Sequence, residues 1–99
     1  MNIQMARFKV KAEKAKEFED AAEAVFKAVE KKRPKGVRYT LCRLSDGFTY
    51  LGLLELEDGI ANPLPELPEG KKFLEGLQNW TVEPAIRDEL TPVGSYRSF

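Results

Sequence analysis

The chain has 99 residues and 42% hydrophobic content, enough for one packed domain (residues 1–99) with a large surface fraction. Sixteen basic and sixteen acidic residues cancel, so no global field draws it to nucleic acid or to an anionic membrane. Histidine is absent and cysteine occurs once, which excludes a histidine base, a histidine metal or haem ligand, and an intramolecular disulfide. With no secretion-type leader and no long apolar run, the expectation is a soluble, cytoplasmic protein.

Gln4 to Lys11 alternates, with Ala6, Phe8 and Val10 on one face and Arg7, Lys9 and Lys11 on the other, as in a half-buried strand. From Lys11 to Arg33 the period changes. Ala15, Phe18, Ala22, Val25, Phe26 and Val29 recur at spacings of three and four, the stripe of an amphipathic helix. Its acidic residues lie early and Lys31, Lys32 and Arg33 lie late, in accord with the macrodipole, and Glu23 and Lys27 are spaced to pair. Pro34 and Gly36 stop it, while no capping residue precedes Glu13.

Val37 to Leu56 reads as a hairpin about Asp46-Gly47, a sequence suited to a type I′ turn with positive φ at both central residues. With Ser45 opposite Phe48, the register pairs Leu44 with Thr49, Arg43 with Tyr50, Tyr39 with Leu54, Arg38 with Glu55 and Val37 with Leu56. Opposite charges then face each other at Arg38 and Glu55, and a guanidinium lies beside a ring at Arg43 and Tyr50. One face of the hairpin carries Val37, Tyr39, Leu41, Tyr50, Leu54 and Leu56; the other carries Cys42, Leu44, Leu51 and Leu53. A sheet with one wet face alternates cleanly, and this one does not, so both faces are expected to be covered. Cys42 accordingly reads as a small buried hydrophobe.

Pro63, Pro65 and Pro68 make Ile60 to Gly70 a loop, and its stretch from Asn62 to Gly70 is open to reading as a lid over a pocket mouth or as a stiff connector. Lys71 to Asn79 forms a second helix with Phe73, Leu77 and Trp80 along its stripe, and Gly76 within it signals close approach to another element. Pro84 to Glu89 reads as a further helical turn. Thr91 to Phe99 reads as the closing strand, with Pro92 at its start. The order is β-α-β-β-α-β, which predicts an α+β, ferredoxin-like sandwich: a four-stranded antiparallel sheet with both helices on one face. The face left bare is most simply buried by a second copy in a twofold dimer.

Met5-Ala6-Arg7-Phe8-Lys9-Val10-Lys11 running into a charged helix, then Gly36-Val37-Arg38-Tyr39-Thr40-Leu41, then the closing Pro92-Val93-Gly94-Ser95-Tyr96-Arg97, resemble the dimeric α/β-barrel superfamily and most closely its antibiotic-biosynthesis-monooxygenase branch. The resemblance is one of pattern over the whole chain. It implies a homodimer that closes as an α/β barrel, with a pocket in each subunit between the sheet and its helices. Several members oxidise polycyclic phenols or quinols with molecular oxygen and no cofactor, and others open haem. The haem-degrading members share a first-strand Asn, a Trp and a His ligand. Here the first strand reads Ala6-Arg7-Phe8 and no histidine exists, so haem degradation is disfavoured. Members also often carry a His near the start of the second helix, a region occupied here by the proline-rich loop.

The candidate pocket residues are Trp80, Tyr39, Tyr50, Tyr96, Arg43 and Arg97. Trp80 suits stacking on a flat aromatic substrate, or completes the stripe of Phe73 and Leu77. The tyrosines suit donation to a substrate oxygen, or cross-strand packing. The arginines suit an anionic or phenolate ligand, or surface pairing. No residue pattern calls for a metal or a cofactor. The expectation is therefore a cofactor-independent monooxygenase acting on a small aromatic phenol or quinol. The alternatives are a non-catalytic dimeric module binding a small hydrophobic ligand, and a structural dimer with a filled interior.

Overall fold

The computed structural model describes residues 2–97. β1 (Asn2–Lys9) leads through a 3-10 turn at Ala12–Lys14 into α1 (Ala15–Lys32); β2 (Val37–Arg43) and β3 (Thr49–Leu56) form the hairpin; α2 (Pro68–Trp80) and β4 (Ile86–Leu90) complete the chain. The four strands are antiparallel in the order β2-β3-β1-β4. This is the predicted α+β, ferredoxin-like sandwich, with both helices on the sheet face that carries Phe8 and Tyr50.

That face is the core. Phe18, fully buried in the second turn of α1, meets Phe8, Tyr50, Phe73 and Trp80 at ring-centroid distances of 5.6, 4.6, 5.3 and 6.3 Å. Ala22 and Val25, one and two turns on, are buried beside it, as the helical stripe predicts. α1 begins without a side-chain cap, and the 3-10 turn takes up the entry instead. It ends where Arg33 turns left-handed (φ 46°) and Gly36 follows at φ 74°. The exposed Glu23–Lys27 pair forms at 3.1 Å.

The hairpin register is the one predicted, from Val37 opposite Leu56 to Arg43 opposite Tyr50, and Leu44 N donates to Thr49 O at 2.8 Å. The turn differs. Only Gly47 has positive φ (85°), so it is not type I′. Gly47 N bonds Leu44 O at 3.0 Å, and the Asp46 carboxylate accepts from Phe48 N (3.0 Å), Thr49 N (2.8 Å) and Thr49 Oγ1 (2.6 Å). A side chain thus closes the loop that two left-handed residues were expected to close. At Arg38 and Glu55 the register places the charges opposite each other, yet the buried Glu55 Oε2 has no hydrogen-bond partner among the described residues.

Further expectations change in the second half. Leu64–Glu66 is a 3-10 turn rather than plain loop, and α2 starts at Pro68, where a proline lacks only an amide that the first helical turn leaves unpaired anyway. Gly76 does admit a close neighbour, but it is the Trp80 ring of the same helix, which would lie 2.3 Å from an added Cβ. Pro84 to Glu89, expected as a helical turn, instead runs into β4 (Ile86–Leu90), antiparallel to β1 from Ile86 opposite Arg7 to Leu90 opposite Ile3. Thr91 to Arg97 forms no strand, because the free edge of β1 is already taken by β4; Ser98 and Phe99 lie outside the described residues.

The second sheet face bears Met5, Leu51 and Leu53, half-buried, with Cys42, Ile86 and Leu90 exposed. Cys42 is thus not buried within the chain, since no helix covers this face. No helix among the described residues is long and apolar enough to cross a membrane.

Candidate functional site

A cavity of about 490 Å3 lies between the sheet and the helices, on the β1–β4 side of the aromatic core. Its origin is legible in residue size. Ala6 and Gly52 are paired across β1 and β3 on the helix-facing side, so two adjacent positions put almost no side chain into the layer. The space above Gly52 is crossed by Tyr39, whose Cε1 lies 3.8 Å from where a Cβ would stand. Phe8, Leu54, Val25 and Phe73 supply apolar walls. Leu64 and Pro65 close one side, held there because Gly70 lets the 3-10 turn approach α2: an added Cβ would fall 1.9 Å from Leu64 O. Asn62 Oδ1 accepts from Leu64 N at 3.0 Å and fixes that turn.

The cavity has a polar side as well. Gln4 from β1 and Arg87, Asp88 and Glu89 from β4 line it. Arg87 stands opposite Ala6, so the small residue leaves room for the guanidinium. Burial raises the Tyr39 hydroxyl above the ordinary phenol range, and the Arg87 charge offsets part of that rise. Tyr39 therefore stays protonated as a donor at neutral pH, within the electrostatic reach of a fixed cation. An apolar slot with a few convergent polar groups at one end is the usual form of a small-molecule site.

Of the sequence-predicted pocket residues, Tyr39 lines this cavity and the other five do not. Tyr50 is buried in the core and donates its hydroxyl to Glu19 Oε2, the atom that Arg43 reaches at 3.1 Å. Burial, then the bond to and charge of Glu19, raise the Tyr50 hydroxyl, and Arg43 partly opposes them. These two residues tie the hairpin to α1. Trp80 packs on Phe18 and Phe73 and donates Nε1–H to Glu17 Oε2 at 3.3 Å. Tyr96 is exposed, with the Arg97 guanidinium 5.5 Å from its ring centroid. Gln4, Asn62 and Arg87 went unnoticed in the sequence. Arg87 was hidden because its segment was read as a helical turn; in a strand, its position one row from the Tyr39–Leu54 pair would have placed it. No group of three or more Cys, Asp or Glu able to hold a metal occurs among the described residues.

Solved structures share this architecture. The chain has the fold of the antibiotic biosynthesis monooxygenase-like proteins, established at the level of backbone topology. A Nitrosomonas europaea structure named as a candidate antibiotic biosynthesis monooxygenase superposes with a TM-score of 0.77 at 15% identity, covering 93% of this chain and 89% of that one. A similarly named Caulobacter crescentus structure gives 0.76 at 21%, over 94% and 90%. A mutant of SnoaB, a cofactor-independent oxygenase from Streptomyces nogalater, gives 0.72 at 20%, over 98% and 97%. No family model matches the sequence, and no curated protein matches it.

Proposed function

We propose that the protein is a cofactor-independent monooxygenase that oxidises a small aromatic phenol or quinol in the cavity between sheet and helices. The observation that carries this reading is the cavity itself, with an apolar slot over Ala6 and Gly52, Arg87 at its polar end and Tyr39 entering from the opposite, β2 edge. The shared fold with SnoaB supports the reaction class.

The chemistry asked of the chain is modest. A phenol whose ring lies between Phe8, Leu54 and Phe73 presents its oxygen to Arg87, whose charge favours the phenolate. Tyr39, reaching in from the opposite edge of the sheet, can donate a hydrogen bond to reduced oxygen as charge develops on it near the para carbon. The phenolate is electron-rich enough to reduce molecular oxygen itself. One oxygen atom becomes the new carbonyl at the ring carbon para to the hydroxyl. The two hydrogens lost from the phenol leave with the other oxygen atom as water, so a phenol and O2 yield a quinone and H2O. The substrate supplies all four electrons.

The test is oxygen uptake with a panel of naphthols and anthrols, with product masses read for the gained carbonyl. Arg87→Ala should lower kcat/KM by about 10²-fold, the scale of losing one group that stabilises a developing oxyanion. Gly52→Leu should abolish turnover by filling the slot. A Cβ at position 52 meets Leu41 Cδ1 at an ordinary 3.6 Å, so the added side chain starts without a clash, and circular dichroism of the variant checks that it folds. Unchanged uptake by Gly52→Leu would move the chemistry out of this cavity. Phenols bound but recovered intact under air would leave a non-catalytic binding module.

A further inference from the structure

Tyr39 faces two hollows. Besides the main cavity it lines a shallower groove of about 320 Å3 between the end of α1 and β2, together with Phe26, Val29, Glu30, Arg33 and Val37. No other residue among those described lines both. The ring is held by Phe26, stacked on it at a centroid distance of 4.8 Å and an interplanar angle of 16°. Val25, one residue earlier on α1, faces the main cavity, whereas Phe26 faces only the groove. On the sheet side Tyr39 lies over Gly52, which has no side chain to thicken the wall. The barrier between the two spaces is therefore one ring, with one ring behind it.

We propose that Tyr39, braced by Phe26, is the partition that sets the length of ligand the site accepts, and that the groove beyond it is a subsite for the far end of a longer fused-ring or biaryl phenol once the partition is moved. The proposal rests on the reading of the main cavity as an aromatic-ligand site. Three features favour a planar, apolar occupant at the groove end: Phe26 offers a ring face, Val29 and Val37 offer aliphatic edges, and the charged Glu30 and Arg33 stand where the groove meets water. A ligand that displaces the Tyr39 ring regains the stacking on Phe26 that Tyr39 gives up.

Two probes with one head and different lengths decide it: 2-naphthol and 6-phenyl-2-naphthol, each titrated by its own fluorescence. The readout is the ratio of their dissociation constants, compared across the wild type, Tyr39→Ala, Tyr39→Phe and Phe26→Ala. Tyr39→Ala should shift the ratio toward the longer probe by about tenfold, the scale on which an apolar pocket discriminates size. Phe26→Ala should shift it the same way by less, and it keeps the test open if Tyr39→Ala does not fold. Tyr39→Phe keeps the stack and should keep the wild-type ratio. An unchanged ratio in both alanine variants overturns the partition. A shift in Tyr39→Ala with none in Phe26→Ala leaves the added ring within the main cavity and overturns the subsite. Probes that bind with the expected ratios but are never oxidised overturn the catalytic reading and leave this one standing. Binding of neither probe by any of the chains overturns both.

Discussion

Asp46 stands at a bend that its neighbours alone would not hold, and its carboxylate collects three donors from Phe48 and Thr49. The Thr49 hydroxyl and amide, in that order, hold the carboxyl below its ordinary value of 3.8. The proton balance follows. The folded carboxyl releases its proton at lower pH than the unfolded one, so its stabilisation is complete above the unfolded value and disappears as pH falls through the folded value. Asp46→Asn keeps an oxygen for the amides and removes the titration. The urea midpoint of the wild type should therefore exceed that of Asp46→Asn by a constant margin above about pH 5 and by a shrinking one below about pH 4. A margin that ignores pH would mean the charge contributes nothing. The residue also marks what the sequence could and could not convey. Asp-Gly between two apolar runs was enough to set the register, because loop length fixes pairing whatever the turn type. It did not distinguish a positive-φ pair from a carboxylate that gathers amides, since Asp serves both.

Among the elements, α1 and β4 are opposites in legibility, for one reason. α1 buries Phe18, Ala22 and Val25 on a single side, and burial on one side imposes a period that can be read. Every residue of β4 is exposed, so no burial selected its side chains, and Ile-Arg-Asp-Glu-Leu carries no alternation. What makes it a strand is the vacant edge of β1, a tertiary fact. The same gap hid Arg87. Of the candidate site, Tyr39 was thus legible in the sequence; the small pair at Ala6 and Gly52 emerges only from the β1–β3 register, and the charged half only from β4. α1 also carries the sharpest stability expectation. Phe18 touches four other rings at full burial, and truncation leaves a void between two layers that are both pinned elsewhere. Phe18→Ala should cost about 3–5 kcal/mol in urea unfolding. A loss under about 1 kcal/mol would mean that the helices collapse onto the sheet, and the cavity would then shrink with them.

For the whole molecule, the open sheet face sets the expectation. Met5, Leu51 and Leu53 share it with Ile86 and Leu90. We propose a homodimer through this face. Covering it gains about 25 cal/mol per Å2 of apolar area. Light scattering should give about twice the 11.2 kDa of the chain across a dilution series, and Leu53→Glu should halve it. A wild-type mass equal to one chain would rule the dimer out.

The strand order carries a consequence in time. β1 is made early, yet it is an inner strand, flanked by β3 on one side and β4 on the other. Its partners lie some fifty and nearly ninety residues further along the chain, as in the pairs Ile3–Glu55 and Ile3–Leu90. Only the β2–β3 hairpin can close with neighbours already at hand. During synthesis β1 therefore waits with both edges open, and the sheet cannot be completed until residue 90 has emerged from the ribosome. The polar, unpatterned β4 is the last piece of the ladder and the element that ends β1's exposure. A truncation that removes β4 would leave an inner strand as a permanent edge, the geometry from which aggregation starts.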